Sequence, residues 1–298
     1  MKPITFSPNL LATIGNTPMI KIGQIYAKLE TTNPSGSIKD RMAIHIIEKA
    51  EKAKKLKKGQ TIIEVTSGST GIALAMIAAI KGYKFIAIMP GTMSPERIKI
   101  MKLFGAKIIV TPAELDIAGA FEEYERVVSK NKAAFFPRQF DNEDNVEENQ
   151  IFLGHEIIQQ MKGKIDAFVA GAGTGGTIIG VGLALKKINP KVRIVVVEPK
   201  ESAVISGGKP GIHQIYGIGE GFIPNIIQRH RHVIDDVITI SSKEAFKRTK
   251  ELARDHGILV GVSSGANMLA AEKLSKKYKK VVTILPDRGE RYLSELIS

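Results

Sequence analysis

The stretch TNPSGSIKDRMA, Thr32 to Ala43, sets one lysine, Lys39, between a glycine-bearing turn and the start of a helical pattern. The positive end of a helix dipole disfavours an ammonium there and lowers its pKa. A lysine so depressed offers a neutral amine, the form that Schiff-base chemistry requires. A plainer reading also fits: Ser37 and Asp40 have the spacing of a capping box, which leaves Lys39 an ordinary surface residue in a first helical turn. The residue types alone leave both open.

Three other segments carry chemistry at a strand–loop–helix junction. TSGSTG (Thr66–Gly71) puts hydroxyls and turn glycines where free backbone N–H groups make a site for a carboxylate or phosphate. A single N-cap with a turn glycine explains only part of that set. GAGTGGTIIG (Gly171–Gly180) holds Gly171, Gly173 and Gly176 in G-x-G-x-x-G spacing, and Glu198 ends a later strand 22 residues beyond Gly176. That is a dinucleotide fingerprint, yet any glycine-rich loop cradling a phosphate matches it. A phosphate at this helix N-terminus is therefore better supported than a nicotinamide cofactor. VGVSSGANMLAA (Val260–Ala271) repeats the form, with Ser263 and Ser264 either capping the helix or presenting a hydroxyl to a ligand. No His, Asp or Glu spacing suggests a metal site, and the six histidines are scattered.

The elements that must position these residues alternate regularly. TIIEVT, KFIAIMP, AKIIVTP, DAFVAG, RIVVVEP, DVITIS, GILVGVS and VVTILPD read as apolar strands, most followed by helical periodicity, including a helix from about 117 to 130. Ser94-Pro95 reads as an N-cap with proline at the first helical position. Runs this apolar argue for parallel sheets covered by helices on both faces. The fold expected is α/β with two domains, crossing between them in the polar stretch 137–149.

Composition bounds the rest. At 298 residues and 43% hydrophobic content the chain supports one large domain or two ordinary ones. The N-terminal stretch has no continuous apolar h-region, and the longest apolar run, Gly71–Ile80, is about half a membrane span. With no cysteine, disulfides and thiolate metal sites are excluded, which fits a cytoplasmic location. The net charge of +13 could signal nucleic acid, but EKAEKAKKLKKG (Glu48–Gly59) mixes both signs like a solvated helix face, and aromatics are only 6% with no Trp. Neither a nucleic-acid nor a membrane partner is expected.

Taken together, IGNTPMIKI, NPSGSIKDR, TSGSTGIALAM, QFDN, DAFVAGAGTGGTIIGVG, VEPKESAVISGGKPGIHQIYGIGEGFIP, GILVGVSSGAN and LPDRGERYLS resemble the cysteine synthase and cystathionine β-synthase family of pyridoxal-phosphate enzymes, over nearly the whole chain. The resemblance implies fold type II, like the tryptophan synthase β-subunit. It implies a larger cofactor-binding domain of residues 1–34 plus 141–298, and a smaller mobile domain of 35–140 that closes over substrate. Lys39 would carry pyridoxal 5'-phosphate as a Schiff base and later act as general base on the α-proton. Gly173, Thr174, Gly175, Gly176 and Thr177 would hold the phosphate, and Ser263 would meet the pyridine nitrogen with a neutral hydroxyl. Thr66, Ser67, Thr70 and Gln139 would hold the substrate α-carboxylate. The activity implied is β-replacement on a serine-type amino acid by sulfide or a thiol, foremost O-acetylserine plus sulfide to cysteine plus acetate. A homodimer is implied as well, and a regulatory partner at the active-site mouth is left open.

The sequence also departs from the family pattern. Ser69 stands where an asparagine usually contacts the cofactor's ring hydroxyl. Asn149 and FLGHEI replace a usual histidine and TTGPEI. GIGEGF puts Glu220 where cysteine synthases keep a small residue. A carboxylate there would serve serine, which loses hydroxide, or the reverse addition of water, better than O-acetylserine, whose acetate leaves unaided. Glu220 is thus either a catalytic acid/base for an enzyme interconverting serine and cysteine or condensing a thiol with serine, or a group at the site rim of an ordinary cysteine synthase. A nicotinamide-dependent oxidoreductase stays as a remote alternative resting on the glycine fingerprint and Glu198.

Overall fold

The computed structural model describes residues 6–297; residues 1–5, where the larger expected domain begins, and residue 298 lie outside the described residues. The chain runs β1 (Met19–Ile22), β2 (Ile25–Leu29), α1 (Lys39–Lys52), β3 (Thr61–Val65), α2 (Ser69–Lys81), β4 (Lys84–Pro90), α3 (Pro95–Leu103), β5 (Lys107–Thr111), α4 (Asp116–Lys130) and α5 (Glu143–Glu148). One π-helical turn, Asn149–Leu153, leads into α6 (Gly154–Gln160). Then follow β6 (Ala167–Gly171), α7 (Gly176–Ile188), β7 (Arg193–Pro199), α8 (Asn225–Arg229), β8 (Asp236–Ile240), α9 (Ser242–His256), α10 (Val262–Ser275), β9 (Val281–Leu285) and α11 (Leu293–Leu296).

Two sheets result. One has the order β1-β2-β9-β6-β7-β8, parallel except for β1 against β2; the other is β3-β4-β5, all parallel. Period-two alternation divides each strand between opposite faces. In β6, Phe168 and Ala170 pack with Ile178 and Ile179 of α7, while Ala167 and Val169 pack with Ala266 and Ala270 of α10. In β3, Ile62 joins α1 and α2, and Ile63 and Val65 join Ala120 and Tyr124 of α4. Both faces are thus covered, as runs such as VVTIL, buried throughout, require. In the larger sheet β6 lies between β9 and β7, so the crossovers part there and open a crevice at the carboxyl ends of the strands.

Three local expectations need correction. GILVGVS forms no strand: Val260 makes only an isolated bridge to Arg288, and the segment turns directly into α10. Ser37 and Asp40 form no capping box. The Asp40 carboxylate instead turns back to accept from the Ser35 N–H at 2.7 Å and from the Ser35 hydroxyl. Ser94 does precede Pro95 at the start of α3, but its hydroxyl donates to the Arg291 carbonyl at 3.2 Å rather than capping the helix.

Candidate active site

The carboxyl ends of β3, β6 and β9 face a cleft of about 850 Å³, including its open mouth. Of the thirteen site residues named from sequence, Lys39, Ser67, Ser69, Thr70, Gln139, Gly173, Thr174, Gly175, Thr177, Glu220 and Ser263 line it. Thr66 and Gly176 lie just behind.

The glycine loop between β6 and α7 is a cup closed by its neighbours. Gly175 sits at φ +88, a backbone that side chains strain. A Cβ on Gly173 would lie 2.3 Å from the Gly217 carbonyl oxygen, and one on Gly176 2.0 Å from Asn145 Oδ1. Asn145 also donates to the Thr174 hydroxyl at 2.9 Å and to the Gln139 carbonyl at 3.0 Å, so the cup and the QFDN segment are held together. The open N–H groups at the start of α7 favour an anion.

Lys39 is the first residue of α1 and only partly exposed. Desolvation drives its pKa down, and the carboxylates of Glu220 and Asp287 push back. Burial therefore disfavours the charged form of this amine, unlike that of a free surface lysine. The plain surface reading of this lysine does not hold. Glu220 lines the cleft, its charge reaches Lys39, and its Oε1 comes within 3.9 Å of where a Gly173 Cβ would be.

The turn after β3 is shaped by Thr66, whose hydroxyl accepts from the N–H groups of Gly68 at 2.9 Å and Gly71 at 3.0 Å. Thr70 donates to Gln139 Oε1 at 2.6 Å, and Gln139 Nε2 donates to the Val65 carbonyl at 2.7 Å. Beneath them Glu64 accepts from the N–H of Gln139 at 3.2 Å and of Val65 at 3.0 Å, and burial pushes its pKa up to about 8. Ser263, 4% exposed, opens α10 beside Asn267. Asn267 accepts from the Gly171 N–H at 2.8 Å and donates to the Ile284 carbonyl at 2.9 Å, which ties β6 to β9 at the cleft floor.

Several residues at or beside the cleft carry no chemical motif of their own, although four of them, Tyr216, Asp287, Arg291 and Tyr292, lie in segments that carry the family resemblance. Arg97 is buried with its guanidinium carbon 5.0 Å from the Tyr216 ring centre and 4.8 Å from that of Tyr292, and it donates to the Ser67 carbonyl at 3.0 Å. Arg291 donates to the Ser69 hydroxyl at 2.8 Å. Asp287 Oδ2 accepts from the Tyr292 hydroxyl at 2.6 Å and from Ser69 at 3.3 Å. All except Arg97 come from the chain's far ends relative to Lys39, so spacing could not link them. Ser69, in place of a longer asparagine, is thus fixed between an arginine and a carboxylate.

Glu198 is excluded from ligand recognition by its bonds. It is fully buried, and it accepts from the N–H groups of Ile205 at 2.8 Å and Ser206 at 3.0 Å and from the Ser206 hydroxyl. A ribose-binding acid would need a free carboxylate at the cleft. Pyridoxal phosphate meets a better match: a buried low-pKa amine, a glycine cup at a helix N-terminus, and a neutral hydroxyl at Ser263, all lining one cavity. The residues present fit that group. Among the described residues no helix is long and apolar enough to cross a membrane, and no three His, Asp or Glu side chains are arranged to hold a metal ion.

Comparison with known proteins agrees with this geometry. The family described as pyridoxal-phosphate dependent enzyme matches residues 10–287. A cysteine synthase of Staphylococcus aureus strain Mu50 is 45% identical over 298 residues, covering 96% of this chain and 95% of its own. The crystal structure of a cysteine synthase from Entamoeba histolytica superposes with a TM-score of 0.92 at 40% identity, covering 98% of this chain and 90% of that one. A hydrogen sulfide-producing enzyme from Fusobacterium nucleatum superposes with a TM-score of 0.92 at 38% identity, covering 96% of this chain and all of that one.

Proposed function

Because the chain belongs to the family of pyridoxal-phosphate-dependent enzymes, we propose that it is a cysteine synthase, converting O-acetylserine and hydrosulfide into cysteine and acetate. The observation that carries this reading is the single cavity shared by the desolvated Lys39 amine, the Gly173–Thr177 cup and the Thr66–Thr70 turn. Bound there, pyridoxal phosphate supplies an electron sink for the pair left at the substrate α-carbon.

The residues do the rest. Lys39 Nζ would hold the cofactor through its carbonyl carbon and would be free once substrate is bound. The freed Nζ would then take the α-proton as general base. N–H groups and hydroxyls of Ser67 and Thr70, with Gln139, hold the α-carboxylate and so aim the Cα–H bond at Lys39. Thr66 shapes that turn from behind. Gly173 to Thr177 would hold the phosphate, Ser263 would meet the ring nitrogen with a neutral hydroxyl, and Ser69 would hold the ring edge. Acetate would leave without an acid, hydrosulfide would add at the β-carbon, and the proton held on Lys39 would return to the α-carbon.

A second reading is favoured by the charge of Glu220 acting on Lys39 within the cleft. Glu220 would deliver a proton to a departing hydroxide or draw one from an incoming water, so that serine or cysteine is used and sulfide is taken up or released. Residues 35–140 are read as the domain that closes on substrate. A homodimer in the cytoplasm follows from the family resemblance, with sedimentation as its measure.

Purified protein with pyridoxal phosphate tests both readings. Turnover of O-acetylserine with sulfide, lost in Lys39→Ala, is the expected result, and unchanged turnover in that variant refutes the assignment. Turnover of serine or cysteine that falls in Glu220→Ala while the O-acetylserine reaction persists selects the second reading. Equal rates on serine and cysteine in both proteins refute it.

A further inference from the structure

Pro286 and Asp287 leave β9 where the segments building the cleft meet. The Ile38 N–H donates to the Pro286 carbonyl at 2.8 Å, the Arg288 N–H donates to the Gly36 carbonyl at 3.1 Å, and Ser37 and Asp287 form an antiparallel bridge. On the other side the Gly261 N–H donates to the Asp287 carbonyl at 3.1 Å. Asp287 is thereby stitched both to the turn that delivers Lys39 and to the turn that opens α10 with Ser263.

Its carboxylate lines the cleft and is 5% exposed in all. Oδ2 is pinned by Tyr292 and Ser69, whereas Oδ1 is buried with no hydrogen-bond partner. A desolvated carboxylate oxygen is costly unless a positive charge or a ligand answers it. Of the neighbouring cations, Arg291 donates to Ser69 and the Ser35 carbonyl, Arg288 donates Nε to the Thr31 carbonyl at 2.8 Å, and Arg97 lies over the Tyr216 and Tyr292 rings with its Nε buried and without a hydrogen-bond partner. On α1, Asp40 spends its carboxylate on Ser35. Glu220 is the other acid whose charge reaches Lys39, and it rides a loop whose Gly217, Gly219 and Gly221 all have positive φ.

We propose that Asp287 is a positioning residue for Lys39, its carboxylate being the fixed counter-charge that allows the buried amine to hold a proton during turnover. The inference rests on Lys39 as the cofactor-bearing base. Burial by itself opposes the ammonium and would leave a weak base; a carboxylate locked by Tyr292, Ser69 and three backbone contacts restores basicity without a mobile part. Glu220 adds to this field from a separate loop.

The test reads Lys39 directly, without catalysis. The full-length protein is stripped of cofactor with hydroxylamine, and the rate of pyridoxal phosphate incorporation is followed by visible absorbance across about pH 6 to 10. Borohydride trapping and peptide mapping assign the label to Lys39. Only the neutral amine adds, so the midpoint of the rate profile reports that lysine. Asp287→Asn is expected to lower the midpoint by about one pH unit, so that below it the variant reacts roughly tenfold faster than the parent. Asp287→Glu and Tyr292→Phe, which keep the charge, are expected to stay within about 0.3 units. A midpoint that is unchanged or raised in a folded Asp287→Asn overturns the proposal. If Asp287→Asn does not fold, the smaller Asp287→Ser must give the same downward shift, and its absence overturns the proposal equally. No label at Lys39 in the parent at any pH overturns the cofactor reading itself, a different failure from an unshifted midpoint.

Discussion

Replacing Gly173 with alanine tests whether the glycine cup is a made-to-measure phosphate site. The new Cβ would sit 2.3 Å from the Gly217 carbonyl oxygen, a backbone atom with no rotamer to yield. Carbon-to-carbonyl contacts rarely fall below roughly 3.3 Å, so the two loops must separate by about 1 Å. Overpacking of this kind costs about 1–3 kcal/mol. The shift moves the N–H groups that face the phosphate. A cost of about 2 kcal/mol borne by the bound geometry raises the dissociation constant roughly thirtyfold.

Unfolding with and without pyridoxal phosphate measures this directly. Ligand at about 1,000 times the parent's Kd stabilises the parent by about 4 kcal/mol, and the same concentration stabilises a variant binding thirtyfold more weakly by about 2 kcal/mol. Gly207→Ala is the control. Gly207 has φ +88 with nothing within 4 Å of a new Cβ, so it incurs backbone strain of about 1–2 kcal/mol and leaves the ligand increment intact. A Gly173→Ala protein with the parent's ligand increment would refute the reading of the loop as the phosphate cup.

Other consequences are as specific. Arg41 binds Glu30 through Nε at 2.7 Å and Glu156 through two nitrogens at 2.7 and 2.8 Å; Arg41→Ala should cost about 3–5 kcal/mol by urea unfolding, because the buried Glu30 loses its cation while Glu156 keeps Lys28. Thr70→Val removes the 2.6 Å bond to Gln139 and should raise KM for the amino-acid substrate about five- to tenfold while the visible spectrum of the bound cofactor stays unchanged. Glu148 is buried with Oε2 unpartnered, and its pKa is raised to about 8. The folded state therefore keeps a proton that the unfolded state releases near pH 4.5, and stability falls as pH rises through that window by up to about 1 kcal/mol per unit until about 8. Glu148→Gln should flatten urea midpoints between pH 6 and 8, and an unchanged slope would show that Glu148 is ionised in the folded protein.

The junctions of strand, loop and helix were legible because each depends on local chemistry: glycine for a backbone that other residues rarely adopt, hydroxyls for free N–H groups, β-branched runs for strands buried on both faces. What escaped was supplied from elsewhere. GILVGVS has strand composition, yet its backbone meets the LPDRG segment through one bridge and then a helix, an outcome set by tertiary pairing. Ser37-x-x-Asp40 matches a capping box, but the Ile38 N–H is taken by Pro286 and the Asp40 carboxylate by Ser35. Glu198 lies at dinucleotide spacing and is consumed by the turn at 205–206. Arg97 from α3 and Asp287 after β9 line the same cleft, and Arg291 reaches Ser69 beside it, which no periodicity announces.

The helix ends explain why a lysine tolerates the start of α1. The starts of α2 and α7 present N–H groups to the same cavity and draw negative charge there. The start of α1 is the reverse case, a cation at a positive helix end, made worse by burial. Such a group spends little time charged unless anions share its space. Glu220 and Asp287 are those anions, one on a glycine-rich loop and one fixed in hydrogen bonds. Burial disfavours the charge on this amine while the two carboxylates favour it, so the groups around Lys39 act on its proton in opposite directions. Chemistry that needs a nucleophile in one step and a proton carrier in the next requires that balance, and removing either side would leave a lysine suited to only one of them.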